Sequence, residues 1–571
     1  MEKPHTHKKQ TQTKYVERLW LCVWTGVQFS PSPIFIRLSV VNKSQDNLFS
    51  FIKLKVIRSF ILKKIKPFLY FNRFLVCLTI LAQIFSLIYF ILSASNVSTW
   101  IQRALMLFSI LMALFIISKH EKSGFKIIWI LLIMIFPLFG GFTYLIFHGQ
   151  GATRKFRKTL TKLEEKTRQT FLLTSPAFEQ AILKNPEYHN NISYLEKFAG
   201  FPVFKNSTAK YLSPGEEFFP CLLEELEKAQ KYIFMEYFII DEGEMWNQIL
   251  EVLERKAKEG VEVRVMYDDV GSFVLLPTNY PKILEKKGIK CVTFNQFKPF
   301  FIVSHNNRDH RKITVIDGKV GFTGGINLAD EYINKKERHG YWKDASVMIQ
   351  GEAVWSLTVI FLQLWNFSLK STEDFAQFYP WKESKCDVQS DCFIQPYCDS
   401  PTDLENVGEH VYLNIITQAK KYLYIQTPYF IIDEQMLSAI CLAAKSGVDV
   451  RLVTPFKWDK FLVHTLTRSY YNDLINAGVK VYEYTPGFIH SKVVISDDKV
   501  ATVGSANFDY RSLYHHFECG TCIYDSKSIE PIYKDFMDIV EKSKLIEKTD
   551  LKYNVIKSLF QQILRVFAPL M

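Results

Sequence analysis

The sequence predicts an α/β protein made of two copies of one domain, each a mixed β-sheet flanked by helices, with apolar transmembrane helices ahead of them. Three observations predict it. A strand–helix–strand pattern occurs twice, a constellation of His, Lys, Asp, Gly and Asn recurs 180 residues apart, and two charge-free apolar runs of 21 residues fall between residues 74 and 147. At 571 residues the chain exceeds what one ordinary core can organise.

Residues 1–65 mix basic, polar and aromatic residues without a clear period and read as a basic extension. The first long apolar run begins too late for a cleavable signal peptide. Phe74 to Ala94 holds 21 residues without charge, enough to cross a hydrocarbon core of about 30 Å as a helix. Ala104 to Ser118 gives 15, marginal for a span, and Ile127 to Phe147 gives 21 again, broken by Pro137, Gly140 and Gly141. Residues 66–150 are therefore expected to be an anchor of two or three apolar segments. The stretch before Phe74 is basic, and Arg154, Lys155, Arg157, Lys158, Lys162, Lys166 and Arg168 follow the last run, whereas Ser95 to Arg103 holds one basic residue. Both basic flanks belong on the cytoplasmic side, which requires an even number of crossings. Two crossings follow, with the odd stretch re-entrant or interfacial, unless the extreme N-terminus lies outside.

Composition narrows the partners. A formal charge of +12 points to an acidic partner, nucleic acid or anionic lipid. Hydrophobic residues reach 48%, with 47 Phe, which is high for a purely soluble enzyme. Of ten cysteines, Cys386, Cys392 and Cys398 are too widely spaced for a zinc site, and the pair Cys519 and Cys522 lacks a second pair. Reduced thiols in the cytoplasm and no metal are expected.

After a basic linker, 151–200, the repeat begins. "AQKYIFMEYFIID" from Ala229 matches "AKKYLYIQTPYFIID" from Ala419, and "KAKEGVEVRVMYDD" from Lys256 matches "AAKSGVDVRLVTP" from Ala443. Each copy reads as an apolar strand, an amphipathic helix, a glycine stop and a second strand, a βαβ unit. The copies are placed at 201–395 and 396–571. They are expected to pack face to face, so that one site draws on both.

Each copy ends in the order His-x-Lys-x4-Asp-x6-Gly-(Gly/Ser)-x-Asn. The first copy has His310, Lys312, Asp317, Gly324, Gly325 and Asn327; the second has His490, Lys492, Asp497, Gly504, Ser505 and Asn507. Side chains two apart on a strand share a face, so each His sits beside its Lys. The ammonium keeps the imidazole neutral and nucleophilic and suits a phosphate oxygen. Two such pairs around one phosphorus supply a nucleophile, a general acid and two cations, with no metal required. Asn327, Asn507 and the turn at Ser505 are candidate donors to the phosphate. Asp317 and Asp497 stand in the motif but at hairpin turns and odd spacing from His, so a turn role competes with a catalytic one. Asp344 in "YWKDASV" and Glu518 in "HHFECG" are better placed to hold the second nitrogen of each imidazole.

These residues resemble the paired HKD motifs of the phospholipase D superfamily, and the resemblance covers nearly everything from about residue 66. "FPLFGGFTYLIF", "YWKD" with Gly351, Phe361 and Trp365, "GSANFDYRSL" and the terminal "FAPLM" narrow it to the bacterial cardiolipin synthases. The long basic segment before residue 56 departs from that pattern. The resemblance implies two duplicated phospholipase D-like domains and transfer of a phosphatidyl group between two molecules of phosphatidylglycerol, giving cardiolipin and glycerol. It implies a phosphatidyl-histidine on His310, proton transfer by His490, and charge stabilisation by Lys312 and Lys492, with no cofactor. Phosphatidylglycerol and anionic membrane lipid are then the partners and nucleic acid is not. A multi-pass place in the cell membrane follows, with cytoplasmic catalytic domains. The motif symmetry permits the two histidines to exchange roles. The alternatives are a phospholipase D-type hydrolase, another phosphatidyltransferase, a nuclease and a non-enzymatic membrane scaffold; the apolar runs oppose the nuclease and the intact motifs oppose the scaffold. "FNQFKPFFIV" from Phe294 and "IKSLFQQILRVFAPLM" near the C-terminus read either as core or as lipid contact.

Overall fold

The computed structural model describes residues 96–571 apart from 149–150, 278, 297–305, 383–384, 404, 525 and 553. The Phe74–Ala94 run and most of the Phe294–Val303 segment lie outside the described residues. The chain divides into two compact units, the first comprising Met1–Gln150 with Lys298–Phe301 and the second the remainder.

In the first unit, α1 (Asn96–Ile117), α2 (Ser123–Ile135) and α3 (Pro137–His148) bury Met112, Ile116, Ile133 and Tyr144 among themselves. Thr99–Ile117 is the one stretch among the described residues long and apolar enough to cross a membrane, 19 residues at mean hydropathy 2.0. The run Ile127–Phe147 is divided between two helices. Pro137, which lacks an amide hydrogen, opens α3. The chain folds back sharply there: a Cβ on Gly140 would lie 2.8 Å from the carbonyl oxygen of Leu132, whereas a straight helix separates residues eight apart by about 12 Å.

The second unit holds two mixed sheets. The first is built from β1 (Ser207–Leu212), β2 (Tyr232–Tyr237), β3 (Glu262–Asp268), β4 (Lys290–Phe294), β5 (Lys312–Ile316), β6 (Val320–Gly324) and β8 (Ser346–Gly351), in the order β1-β8-β6-β5-β2-β3-β4. The short β7 (Tyr341–Lys343) stands apart from it. The second sheet uses β9 (Phe393–Asp399), β10 (Tyr422–Gln426), β12 (Asp449–Pro455), β13 (Lys480–Tyr484), β15 (Val493–Ser496), β16 (Val500–Gly504), β18 (Glu518–Tyr524) and β19 (Ser543–Leu545), in the order β19-β13-β12-β10-β15-β16-β18-β9. Two-residue strands β11 (Phe430–Ile431) and β17 (Phe508–Asp509) pair with each other, and β14 (Gly487–Ile489) pairs in parallel with β7.

The βαβ units are the centre of each half. β2 runs through α4 (Glu244–Lys258) to a parallel β3. Trp246, Ile249 and Leu253, at three- and four-residue spacing on α4, are buried with Ile233, Met235, Val263 and Val265 of the strands. In the second half β10 runs through a helix at Glu434–Lys445 to a parallel β12. Both helices stop at a glycine with positive φ, Gly260 and Gly447, each at +95°. The next two strands of each sheet, β5–β6 and β15–β16, form antiparallel hairpins that carry the motif residues.

Candidate active site

His310 and His490 lie just before β5 and β15, and each is nine-tenths buried. Both lysines, two residues on along the strand, turn back toward their own histidine. Lys312 Nζ donates to the His310 carbonyl at 2.5 Å and Lys492 Nζ donates to the His490 carbonyl. Each motif therefore keeps a cation beside its imidazole.

The two halves then exchange partners. The His310 amide donates to the carbonyl of Phe517 at 2.9 Å, and its Nδ1 lies 2.9 and 3.0 Å from the carboxylate oxygens of Glu518. The His490 amide donates to the carbonyl of Lys343 at 2.7 Å, and its Nδ1 lies 2.6 Å from Asp344 Oδ2. Pairing of β14 with β7 and the bridge between Asp309 and Phe517 fix these registers. Each histidine is thus oriented by the carboxylate of the other repeat, so one site is assembled from both. A carboxylate accepts the Nδ1 proton, which leaves Nε2 with a free lone pair.

Electrostatics separate the two imidazoles. Burial, with Lys312 and then Lys492, holds His310 well below its ordinary range. Burial and Lys492 hold His490 down to about 4, partly opposed by Asp344. Burial pushes Glu518 up to about 7 against the pull of Lys312, whereas Asp344 stays lowered because Lys492 and His490 outweigh its burial. Asp344 is therefore the firmer anion and suits a partner that must carry a proton. Local packing differs to match. A Cβ on Gly325 would fall 2.2 Å from Asp344 Oδ1, so glycine leaves room for that carboxylate. At the equivalent place Ser505 donates its hydroxyl to Glu518 Oε2.

Asp317 and Asp497, for which a turn role competed with a catalytic one, are engaged at their turns. Both sit at hairpin turns with positive φ, +52° and +57°. The Asp317 carboxylate accepts from the amides of Gln230, Lys231 and Tyr232, and that of Asp497 from Lys420, Lys421 and Tyr422. Five residues of strand put each about 16 Å beyond its lysine. They tie the hairpin to the start of β2 or β10. Asn327 is likewise committed, accepting from the Ile239 amide and donating to the Tyr332 hydroxyl, and Asn507 donates to Asp509.

Several neighbours carry no sequence signal of their own. Tyr332, Trp342 and Phe488 surround the His490 ring at 5.3 to 6.1 Å. Asp268 grips Arg308 and the Asp309 amide, fixing the approach to His310. Lys343, beside Asp344, is held by Asp535, which also accepts from Ser213. The ring of His516 lies 5.6 Å from that of His310. Ligand atoms of His310, His516 and Glu518 lie within 4.8 Å of one another, the one such group among the described residues. A cation there would displace the bond between His310 and Glu518.

The family described as "Cardiolipin synthase, PLD-like domain" matches residues 222–365 and 412–540, and "Phospholipase_D-nuclease N-terminal" matches 105–148. A cardiolipin synthase of Geobacillus sp. is 36% identical over 81% of this chain and 92% of its own length. The chain belongs to the cardiolipin synthases of the phospholipase D superfamily. It is an enzyme of that family, a phosphatidyltransferase. Cardiolipin synthase 2 of Bacillus cereus is also 36% identical, over 80% of the chain and 88% of that protein. An uncharacterized protein of Streptococcus mutans is 43% identical over 80% of the chain and 99% of its own length.

Proposed function

We propose that the chain condenses two molecules of phosphatidylglycerol into cardiolipin and glycerol at the shared His310–His490 site. The observation that carries this reading is the reciprocal pair: two neutral imidazoles, each with Nδ1 on a buried carboxylate and an ammonium alongside. His310 Nε2 attacks phosphorus and forms an N–P bond. With the phosphate anion bound, His490 carries a proton and passes it to the departing glycerol oxygen. Neutral again, His490 takes the proton of a primary hydroxyl on the second phosphatidylglycerol. That oxygen displaces His310 and completes cardiolipin, while Lys312 and Lys492 hold the charge on pentacoordinate phosphorus. The nucleophile is assigned to His310, the histidine of the first motif, as the family resemblance implies, and the acid to His490, whose Nδ1 lies 2.6 Å from Asp344.

The same reading places the enzyme in the cell membrane as a multi-pass protein with a cytoplasmic catalytic part. Support comes from the apolar Thr99–Ile117 stretch and the sharp α2–α3 bend. At 13 and 12 residues, α2 and α3 reach only about 20 Å each, short of a span. They suit a re-entrant hairpin, leaving α1 as the crossing among the described residues. Product analysis tests the chemistry. Membranes with the wild type or His310→Ala are incubated with phosphatidylglycerol in excess chelator and examined by mass spectrometry. Cardiolipin and glycerol from the wild type alone are expected; phosphatidic acid in their place overturns the transferase reading.

A further inference from the structure

The C-terminal helix of the catalytic unit, Val555–Val566, is turned outward the wrong way for a water-facing helix. All but one of its apolar residues, Val555, Ile556, Leu559, Phe560, Ile563 and Val566, form one exposed stripe at helical spacing. Ile556 is 79% exposed. The opposite, polar side makes the contacts with the protein. Gln561 is buried and donates to the Thr465 carbonyl, and Arg565 pairs with Asp473 at 2.8 Å. Leu564 is the one apolar side chain of the helix that is buried. Water on both sides does not favour this arrangement.

The helix packs its inner side along a neighbour, Phe461–Ser469, through Gln561 and Thr465. Ahead of it, "FKWDKFL" exposes Phe456, Trp458, Phe461 and Leu462, with Trp458 at 51%, between Lys457 and Lys460. Asp459, next to Trp458, accepts from the Tyr429 hydroxyl and lies 4.0 Å from Lys460. Exposed rings with Lys457 and Lys460 close by suit the level of lipid headgroups, where rings enter the acyl boundary and ammonium groups meet anionic phosphate. This segment also borders the site. Lys460 Nζ stands 4.9 Å from the Tyr429 ring, Tyr429 lies 6.4 Å from Phe488, and Phe488 lies 6.1 Å from His490.

We propose that residues 456–462 and the outer face of Val555–Val566 form one docking surface for an anionic phospholipid bilayer, which seats the catalytic unit where its substrate headgroups lie. The occupant is the bilayer rather than a second copy of the chain because Lys457 and Lys460 stand among the exposed apolar residues of 456–462, and that segment adjoins the lipid-transferring site. The kinetic part of the test rests on the proposed reaction; the fluorescence part does not.

The intact chain is reconstituted in nanodiscs of phosphatidylglycerol and phosphatidylcholine, with and without bromine on the acyl chains. Trp458→Phe is expected to remove part of the bromine-dependent quenching seen in the wild type. Ile556→Asp with Ile563→Asp, both surface changes, is expected to raise the apparent KM for phosphatidylglycerol in vesicles about tenfold. Turnover of short-chain, monomeric phosphatidylglycerol is expected to stay at the wild-type value, which also shows that the variant is folded. Quenching unchanged in Trp458→Phe overturns the proposal, as does an unchanged KM in vesicles. A fall in oligomeric mass of the double variant with unchanged KM overturns it in favour of a contact between copies. A wild type that forms no cardiolipin from either substrate counts against the proposed reaction and leaves the quenching result to decide the surface.

Discussion

Under the proposed reaction, Glu518 and Asp344 act through the histidines they hold. Replacing Glu518 by Gln or Asp344 by Asn keeps the shape of each site but removes the anion that fixes the Nδ1 proton. A fall in kcat of about 100-fold is expected for each, with KM little changed. Steady-state kinetics on folded variants checks this, and wild-type kcat in both would remove the carboxylates from the mechanism. Lysine titration gives a second prediction. Burial holds Lys312 down to about 8, and burial with Lys312 nearby holds Lys492 down to about 7. Raising the pH strips their protons, so kcat/KM falls as pH rises through about 7 to 8. Lowering it protonates Glu518 near 7, which removes the anion held against His310, so kcat/KM also falls as pH drops through about 7. A bound phosphate anion raises both lysines, so the alkaline limb of kcat lies at higher pH than that of kcat/KM. A kcat/KM flat from pH 6 to 10 would contradict the role of the ammonium groups.

At the scale of the element, the motif aspartates belong to the hairpins. Each carboxylate satisfies three backbone amides that open β2 or β10. Asp317→Ala and Asp497→Ala are each expected to cost about 1–3 kcal/mol of stability. Turnover per folded molecule should stay within a few-fold of the wild type. Thermal unfolding alongside kcat separates the two effects. The elements themselves were readable in advance because their signals are local. A glycine stop after an amphipathic helix and an Asp-Gly turn between apolar runs act within a few residues, as Gly260 and Gly318 do. Which carboxylate serves which histidine was not readable. "YWKD" and "HHFE" each follow their own motif in sequence, and only the pairing of β7 with β14, over 140 residues away, carries Asp344 to His490. The bend at Pro137 was visible as an interruption, but its direction depends on Gly140 and Gly141 meeting Leu132 and Phe108 in space.

Reciprocal holding of the histidines makes a claim about the whole catalytic unit. Had each repeat kept its own carboxylate, the molecule would carry two half-sites, and loss of one histidine would leave up to half the activity. Here the amide and ring of His310 depend on Phe517 and Glu518, and those of His490 on Lys343 and Asp344. Neither repeat therefore holds its own histidine unaided, and under the proposed reaction one phosphorus is served by both motifs. His310→Ala and His490→Ala should each lower cardiolipin formation at least about 1,000-fold, since nucleophile and acid act in series on one group. Mixing the two variants in one membrane should restore nothing, because the complementary histidines reside on different chains while each site is closed within one. Recovery on mixing would mean that the site is shared between copies, and half-activity in either single variant would mean two independent sites. Formation of cardiolipin from labelled phosphatidylglycerol by the two variants, separately and mixed, distinguishes all three arrangements.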